Sequence, residues 1–415
     1  MKNNYKKSAI SLIIFLLLIG SISSLSAAEW PMFQDNLRHT GYVPQDTSYS
    51  TQTWTVKLDG SITSTPVLCG DKIFIGTEKG TLYALDAQDG SEIWKFDTTD
   101  AIHSSAAVSE NTLYVGSDDG YLYSINADNG KENWKYKAGD SIRSSPAIDS
   151  DNVYFGADDG ILHAVNRNNG SSEWEYKTDD NIRSSPTVDN DTVYFGSNDD
   201  KLYALTTDNG SLKWDSATGA NVQSSVAISD ENVYFGSEDN QVYALDEATG
   251  TEEWSYNAGS SVTSSPSIDH RQSTLYVATE KGNVLALDTR DGLKKWEIKT
   301  GSSINATPSI FGNNIAIGTS AGSMLMLNKF TGENVWTYNP GYVDNIASSI
   351  SASPVTSGGS LFMASEDGNV YSLNTDQKVG PTSQYTYYIV AIVVLLIALI
   401  VAVKKLITKR WLNKK

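Results

Sequence analysis

The stretch that decides the fold runs from residue 140 to residue 176 and reads DSIRSSPAIDSDNVYFGADDGILHAVNRNNGSSEWEY. It holds four short segments rich in β-branched and aromatic residues, at 142–148, 153–156, 161–165 and 172–176. Polar clusters separate the segments, and the Asp-Gly and Asn-Gly pairs within them supply the positive φ angles of tight turns. Strands and loops this short predict a four-stranded antiparallel meander.

The same unit recurs along the chain, and a column of tryptophans marks its period. The column has eight members, spaced 40 or 42 residues apart: Trp54, Trp94, Trp134, Trp174, Trp214, Trp254, Trp296 and Trp336. Four-stranded units repeating at this length are typical of propeller blades. We predict an all-β fold, an eight-bladed β-propeller of four-stranded antiparallel blades. Seven blades is the alternative if one degenerate unit packs irregularly.

The two ends of the repeat array are complementary. The last unit, from residue 351 to about residue 374, contains three strand-like segments and lacks a tryptophan segment. A tryptophan segment around Trp54 stands before the first complete unit. We therefore predict that the Trp54 strand completes the last blade and closes the ring, which leaves no open face between blades.

The residues before each tryptophan carry a family resemblance. Seven tryptophans end a Gly-x-x-x-Trp motif, as in Gly130 to Trp134, and an Ala-Leu-Asp-like triplet precedes the motif, as in Ala84 to Asp86. This pattern resembles the tryptophan-docking repeat of the quinoprotein family, the pyrroloquinoline quinone (PQQ)-like propellers, and is similar to their non-enzymatic BamB-like relatives. The resemblance implies that the tryptophans are structural contacts between blades. It does not fix the function.

Both ends of the chain lie outside the repeats. Residues 1–28 combine three lysines, an apolar run and Ser-Ala-Ala, which predicts a secretory signal peptide. We expect a lead-in segment at 29–50, the propeller at 51–377, a short linker at 378–386 and a transmembrane helix at 387–403. The tail at 404–415 is basic, so the positive-inside rule places it in the cytoplasm. The alternative is an apolar tail that is removed after sorting.

The net charge of the part between the two apolar ends limits which classes of molecule can be its partner. All 49 acidic residues but only 22 of the 31 basic residues lie between the two apolar ends, so the external part is strongly acidic. Nucleic-acid binding is therefore not expected. The only cysteine, Cys69, cannot form an internal disulfide, and no cysteine follows the predicted cleavage site to carry a lipid. The missing lipid site counts against a BamB-type role.

A candidate ligand site lies just before the Ser-Ser-Pro segments, whose strands are the innermost ones if the family geometry applies. The residues at that position are polar in every unit, and the preceding residue is always Ile or Val. We expect the polar residues to line the mouth of the central channel. The candidate ligand-binding residues are His103, Arg143, Arg183, Gln223 and Asn305, together with Asp100, Asp140 and Asp180, which lie three positions upstream in three of these units. Either the arginines bind an anionic group, or aspartate and arginine only pair with each other.

Other sites are predicted sparingly. Asn169, Asn190, Asn209 and Asn305 begin Asn-x-Ser/Thr sequons and are candidate glycosylation sites. The histidines lack zinc-type spacing, so no metal site and no catalytic residue are predicted. A PQQ site also needs a stacking aromatic and a calcium cage, and the predicted arc supplies only basic residues, so no cofactor is expected.

These features predict a monomeric propeller held by one span in the cytoplasmic membrane, with the propeller outside the cytoplasm. We expect it to be a binding or scaffold module for protein, glycan or envelope partners on its rim, and not an enzyme. The alternatives are a PQQ-dependent dehydrogenase and a BamB-like envelope assembly factor.

Overall fold

A computed structural model describes residues 42–43, 47–48, 52–340, 348–357, 359–374 and 376–377. It confirms an all-β fold of eight antiparallel sheets with four strands each from the repeat units. The predicted signal peptide, linker, transmembrane helix and basic tail lie outside these residues. Within them, no helix is long and apolar enough to cross a membrane.

Each blade orders its strands from the axis outward. The innermost strands are β4 (Val67–Cys69), β8 (Ala107–Ser109), β12 (Ala147–Ile148), β16 (Thr187–Asp189), β20 (Ala227–Ser229), β24 (Ser267–Asp269), β28 (Ser309–Phe311) and β32 (Val355–Ser357). The second strands are β5 (Lys72–Gly76), β9 (Thr112–Gly116), β13 (Asn152–Gly156), β17 (Thr192–Ser197), β21 (Asn232–Gly236), β25 (Thr274–Ala278), β29 (Asn314–Gly318) and β33 (Ser360–Ala364).

The outer half of each blade holds the apolar third strand and the tryptophan strand. The third strands are β6 (Thr81–Asp86), β10 (Tyr121–Asn126), β14 (Ile161–Asn166), β18 (Lys201–Thr206), β22 (Gln241–Asp246), β26 (Asn283–Asp288), β30 (Met324–Asn328) and β34 (Asn369–Asn374). The outermost strands are β7 (Glu92–Asp97), β11 (Glu132–Lys137), β15 (Ser172–Lys177), β19 (Leu212–Ala217), β23 (Glu252–Asn257), β27 (Lys294–Lys299), β31 (Asn334–Tyr338) and β3 (Gln52–Lys57). Third strands are largely buried, whereas most positions of the outermost strands are exposed.

The ring closes as predicted. Strand β3 pairs antiparallel with β34, so the Trp54 strand becomes the fourth strand of blade 8. Thr53 Oγ1 donates to the carbonyl oxygen of Ser372 at 3.1 Å, across 319 residues of sequence. Because β3 completes the last sheet, no blade in the described structure lacks its fourth strand.

The tryptophans join each blade to the next. The Trp134 indole donates through Nε1 to the carbonyl oxygen of Arg167 at 3.2 Å, and its ring lies where a Cβ at Gly170 would stand. The same indole–carbonyl bond joins Trp54 to Ala87 and Trp254 to Thr289. A flat aromatic ring with one donor suits this position because it packs on a glycine while its N–H is satisfied. Glycine is needed there because its φ is positive as well.

The lead-in segment adds pairings that the sequence did not predict. Strand β1 (Tyr42–Val43) pairs in parallel with β28, so the sheet of blade 7 has five strands. Strand β2 (Thr47–Ser48) pairs with β35 (Asp376–Gln377). Two-residue pairings have no periodic pattern that a sequence could reveal. Both lie toward the end of the channel at which the innermost strands finish. We call that side the base face and the opposite side the mouth face.

Candidate functional site: the channel mouth

The mouth is built on a floor of hydrogen bonds between neighbouring blades. In blades 2 to 6 the second serine of the Ser-Ser-Pro-like segment supplies the hydroxyl, and the backbone N–H of the same position in the preceding blade donates to it. Thr65 N–H donates to Ser105 Oγ at 2.9 Å, and Ser105 N–H donates to Ser145 Oγ at 3.0 Å. Seven such bonds follow one another around the axis. This belt gives every blade a polar contact with a neighbouring blade at the centre.

The apolar position before the polar ring also has a structural role. A Cβ at Gly156 would clash with the side chain of Ile182 in the next blade, and Gly116 has the same relation to Ile142. In six of the eight contacts between blades, the Ile or Val side chain therefore fills the space left by a glycine in the preceding blade, and in the other two that residue is Ala278 or Ala364. This packing explains why the position is always Ile or Val while its neighbour in sequence varies.

The predicted ring residues do line the mouth. Among the residues that face this cavity of about 190 Å³ are His103, Arg183, Gln223 and Asn305, and Thr63, Thr263 and Ser351 of the same column complete the ring. Arg143 is not among the lining residues. Whether these residues bind a ligand stays a prediction.

The arginines pair with aspartates other than the predicted ones. Arg143 donates through Nε and Nη2 to both carboxylate oxygens of Asp118, at 3.0 and 2.9 Å. Arg183 donates in the same way through Nε and Nη2 to both carboxylate oxygens of Asp158, at 3.0 Å for each bond. Asp118 raises the pKa of Arg143 through these hydrogen bonds, which outweigh the opposing effect of burial. Such bidentate pairs are specific in geometry and hold the side chains in place.

Asp100, Asp140 and Asp180, the other candidate ligand-binding residues, lie outside this cavity. All three are exposed. Each accepts a bond from the next backbone N–H instead, as Asp140 does from Ser141 at 2.7 Å. The reason is local. For an aspartate in a turn, the backbone N–H of the next residue is a nearer hydrogen-bond donor than a side chain of a neighbouring strand.

The residues that sequence reasoning missed form a second column on the mouth face. Asp118 and Asp158 each stand next to an Asp-Gly pair, and this turn signal gives no indication of a second role. In the structure their position recurs in every blade, with the members Glu78, Asp118, Asp158, Asn198, Glu238, Glu280, Ser320 and Glu366. The sequence signal was available. It is the residue two positions after the Gly or Ala that ends the second strand in most blades.

Charge is unevenly compensated around the mouth. The carboxylates of blades 2 and 3 are paired with arginine, whereas no ion pair among the described residues involves Glu238, Glu280 or Glu366. Burial raises the pKa of Glu238, and the charge of Glu280 raises it further. On the same side, Ser351 Oγ is buried without a hydrogen-bond partner in the described part of the chain. This side therefore presents acceptors and negative charge.

The predicted glycosylation residues take different positions. Asn169 and Asn209 lie in exposed turns on the base face, where their side chains accept backbone bonds from Ser171 and Ser211. Asn190 is exposed with a positive φ of 49°. Asn305 lines the mouth, so a glycan there would lie over the cavity. Glycosylation itself stays a prediction.

The lining does not fit PQQ with calcium. The cavity of about 190 Å³ is below the roughly 300 Å³ at which small-molecule sites begin. Its lining includes no Phe, Tyr or Trp to stack on a planar ring. Among the residues that the structure describes, no group of three or more His, Cys, Asp or Glu side chains could hold a metal ion. We therefore derive no chemical step through a quinone.

Solved structures share this architecture. BamB from Moraxella catarrhalis is 20% identical, with a TM-score of 0.68 over 78% of this chain and 99% of its own. Quinohemoprotein alcohol dehydrogenase from Comamonas testosteroni is 15% identical, with a TM-score of 0.71 over 84% of this chain and 80% of its own. The computationally designed Ika8 protein is 15% identical, with a TM-score of 0.69 over 78% and 99%. At these identities the likeness shows the fold alone.

Sequence comparison identifies the family. Among curated protein sequences, none is significantly similar to this chain. The profile of a family described as "Outer membrane protein assembly factor BamB" matches residues 43–185 and 179–375, which together span most of the propeller. The docked tryptophans, the closing strand and this match agree, and the chain belongs to the BamB-like family of PQQ-type β-propellers.

Proposed function

We propose that this protein is an extracytoplasmic, membrane-anchored binding platform whose mouth face receives a protein partner that presents cationic side chains. The observation that carries the proposal is the uncompensated side of the mouth, where Glu238, Glu280 and Glu366 have no ion pair in the described structure. Ser351 Oγ adds an acceptor without a partner there. A lysine or arginine side chain supplies the donors and the charge that these groups lack.

The size of the mouth favours a side chain over a cofactor. Its volume of about 190 Å³ is below the roughly 300 Å³ at which small-molecule sites begin. The hydrogen-bonded floor beneath it fixes the ring residues, so a partner would meet a preorganised surface. The family description names an assembly factor, a role that requires protein partners, and this supports a binding function for the present chain.

The test places a photoreactive amino acid at Thr263 in the full-length chain in its native cells. We expect a crosslink to a discrete protein, and we expect Glu238→Lys with Glu280→Lys to abolish it. The matched control carries the photoreactive residue at His103, on the arginine-paired side of the same ring. Crosslinks that survive charge reversal, or that form equally at His103, would contradict a cation-binding mouth.

The dehydrogenase alternative has its own test. The purified protein is titrated with PQQ and calcium while absorbance and thermal stability are followed, and alcohols are then added with an artificial electron acceptor. Neither a saturable shift nor turnover is expected, because the lining does not fit the group. Stabilisation with turnover would make the protein an enzyme and would overturn the proposal.

A further inference from the structure

The base face carries two protruding apolar side chains at places where other blades are polar or small. Leu293 is 67% exposed and Phe330 is 51% exposed, each in the turn between the third and fourth strands of its blade. The residues equivalent to Leu293 are Ser91, Lys131, Ser171, Ser211, Thr251 and Glu333. Those equivalent to Phe330 are Gln88, Asp128, Asn168, Asp208, Ala248 and Arg290. The two departures fall in adjacent blades, 6 and 7, so both belong to one sector of the base face.

The same sector reverses the charge of the base face. Exposed turn residues in blades 2 to 5 include many carboxylates, among them Glu110, Asp128, Asp151, Asp191, Asp208 and Glu231. Blade 6 instead exposes Arg271, Arg290, Lys294 and Lys295 beside one exposed turn carboxylate, Asp291. Lys294 also pairs with Glu297 at 2.6 Å. Arg290 and Lys295 both contact the single carboxylate of Asp288, at 2.8 and 3.2 Å, so these two cations share one negative charge. A cationic and apolar edge therefore stands out on an acidic protein.

The chain also leaves the propeller on this face. Strand β34 runs in the same direction as the innermost strands and ends at Asn374 on the base side, next to β35. The predicted membrane span begins at residue 387, and the nine residues of the linker reach at most roughly 30 Å. If that span is retained, the base face is the side held near the bilayer.

We propose that the base edge of blades 6 and 7 docks on the bilayer surface. Leu293 and Phe330 enter the headgroup region, and Arg290 and Lys294 contact the phosphates of anionic lipids. Apolar side chains combined with cations are the combination that binds anionic membrane surfaces. A few such contacts are weak alone, but a short tether raises their effective concentration. The propeller then stands with its acidic blades lifted from the membrane and its mouth free.

This inference uses the predicted span as its tether and does not depend on what binds the mouth. The test reconstitutes the full-length chain in phosphatidylcholine vesicles that contain phosphatidylglycerol and a nitroxide-labelled lipid. A Cys69→Ser background carries Thr331→Cys with an NBD fluorophore, next to Phe330. The matched control is Asn169→Cys, at the same turn position in blade 3 on an acidic part of the base face.

We expect lipid quenching of the fluorophore at residue 331 to exceed that at residue 169 by about twofold or more, since only one sector is docked. The difference should shrink without phosphatidylglycerol and with Leu293→Ser plus Phe330→Asn, which are residues found in the other blades. Equal quenching at both sites, or a difference that these changes leave intact, would overturn the proposal. So would a full-length chain that does not float with vesicles. A patch that binds protein instead would give no lipid-dependent quenching at residue 331.

Discussion

Arg143 holds both carboxylate oxygens of Asp118, a residue of the preceding blade, at 3.0 and 2.9 Å. The pair ties two blades together at the mouth face, and Arg183 with Asp158 repeats it one blade further on. Asp118 is only 10% exposed, whereas Arg143 is 37% exposed. Losing the partner should therefore cost more free energy for the buried aspartate than for the arginine, which water can still solvate.

Replacing Arg143 and Arg183 with Ala should leave the propeller folded but less stable. Neither arginine belongs to the packing columns, yet each loss leaves a largely buried carboxylate without its donors. We expect about 1 kcal/mol less unfolding free energy per pair, because the arginines are partly solvated. Chemical denaturation checks this. Adding Asp118→Asn and Asp158→Asn should recover part of the loss, and an unchanged midpoint in the double variant would show that the pairs contribute nothing.

Gly170→Ala tests the tryptophan contact between blades. The new Cβ would meet the Trp134 ring, and the φ of 71° is unfavourable for alanine. We expect a loss of about 2–4 kcal/mol in unfolding free energy from strain and overpacking together. Gly259→Ala is the matched control, since its φ is 74° but no atom lies within 4 Å of the added Cβ. Equal losses in the two variants would mean that the indole adjusts without cost.

Removing residues 1–57 should open the ring. This truncation deletes β3, so β34 loses its partner strand and the core shared by blades 1 and 8 is exposed. We expect a lower melting temperature, a broader transition and self-association through the free strand edge. Size-exclusion chromatography and circular dichroism measure both effects. A truncation of residues 1–41 keeps β3 and should behave like the intact propeller, and a compact monomer lacking residues 1–57 would show that closure is dispensable.

Stability should fall in acid as a group of aspartates is protonated. Burial opposes ionisation of Asp119, but bonds from Thr99, Tyr123 and Tyr121 hold its pKa below the usual value. The pKa of Asp288 is lowered by its bond with Arg290. A lowered folded pKa contributes stability that is complete above the unfolded value of about 3.9 and lost as pH falls below it.

The melting temperature should therefore be nearly constant from neutral pH to about pH 5 and should fall below about pH 4. Asp119→Asn should lower the melting temperature at neutral pH and flatten the acid decline, because the variant has one proton fewer to take up. An acid decline as steep as that of the unchanged protein would assign the effect to other groups.

The fold was predictable because its restraints are periodic. Trp134 meets Gly170 for the same reason that Trp94 meets Gly130, so one unit explains the others. The closing role of β3 followed from counting segments at the two ends. The pairing of Tyr42–Val43 with β28 was not predictable, because two residues that contact another blade leave no pattern in the sequence.

The mouth was predictable in outline only. His103, Arg183 and Gln223 line it as the column predicted. The sequence did not single out Asp118 and Asp158 as the partners of the arginines, because an aspartate's neighbours in a turn can be read from sequence and its neighbours in the next blade cannot. Asp118 and Asp119 are adjacent, yet one binds an arginine and the other binds a tyrosine hydroxyl and a turn. Which of the two aspartates faces the arginine depends on the direction of the strands and on their pairing register, and the sequence alone does not give that register.

Ring closure by β3 also constrains the order in which the protein can fold during synthesis. Strand β3 is synthesised early, but its partner β34 follows more than three hundred residues later, as the 319-residue separation of Thr53 and Ser372 shows. A chain made from its N-terminus therefore carries an unpaired strand until the last blade has been synthesised. A ribosome that stops early releases a product that cannot close. The fold thus distinguishes complete copies, whose ring is closed, from incomplete ones, in which β3 has no partner strand.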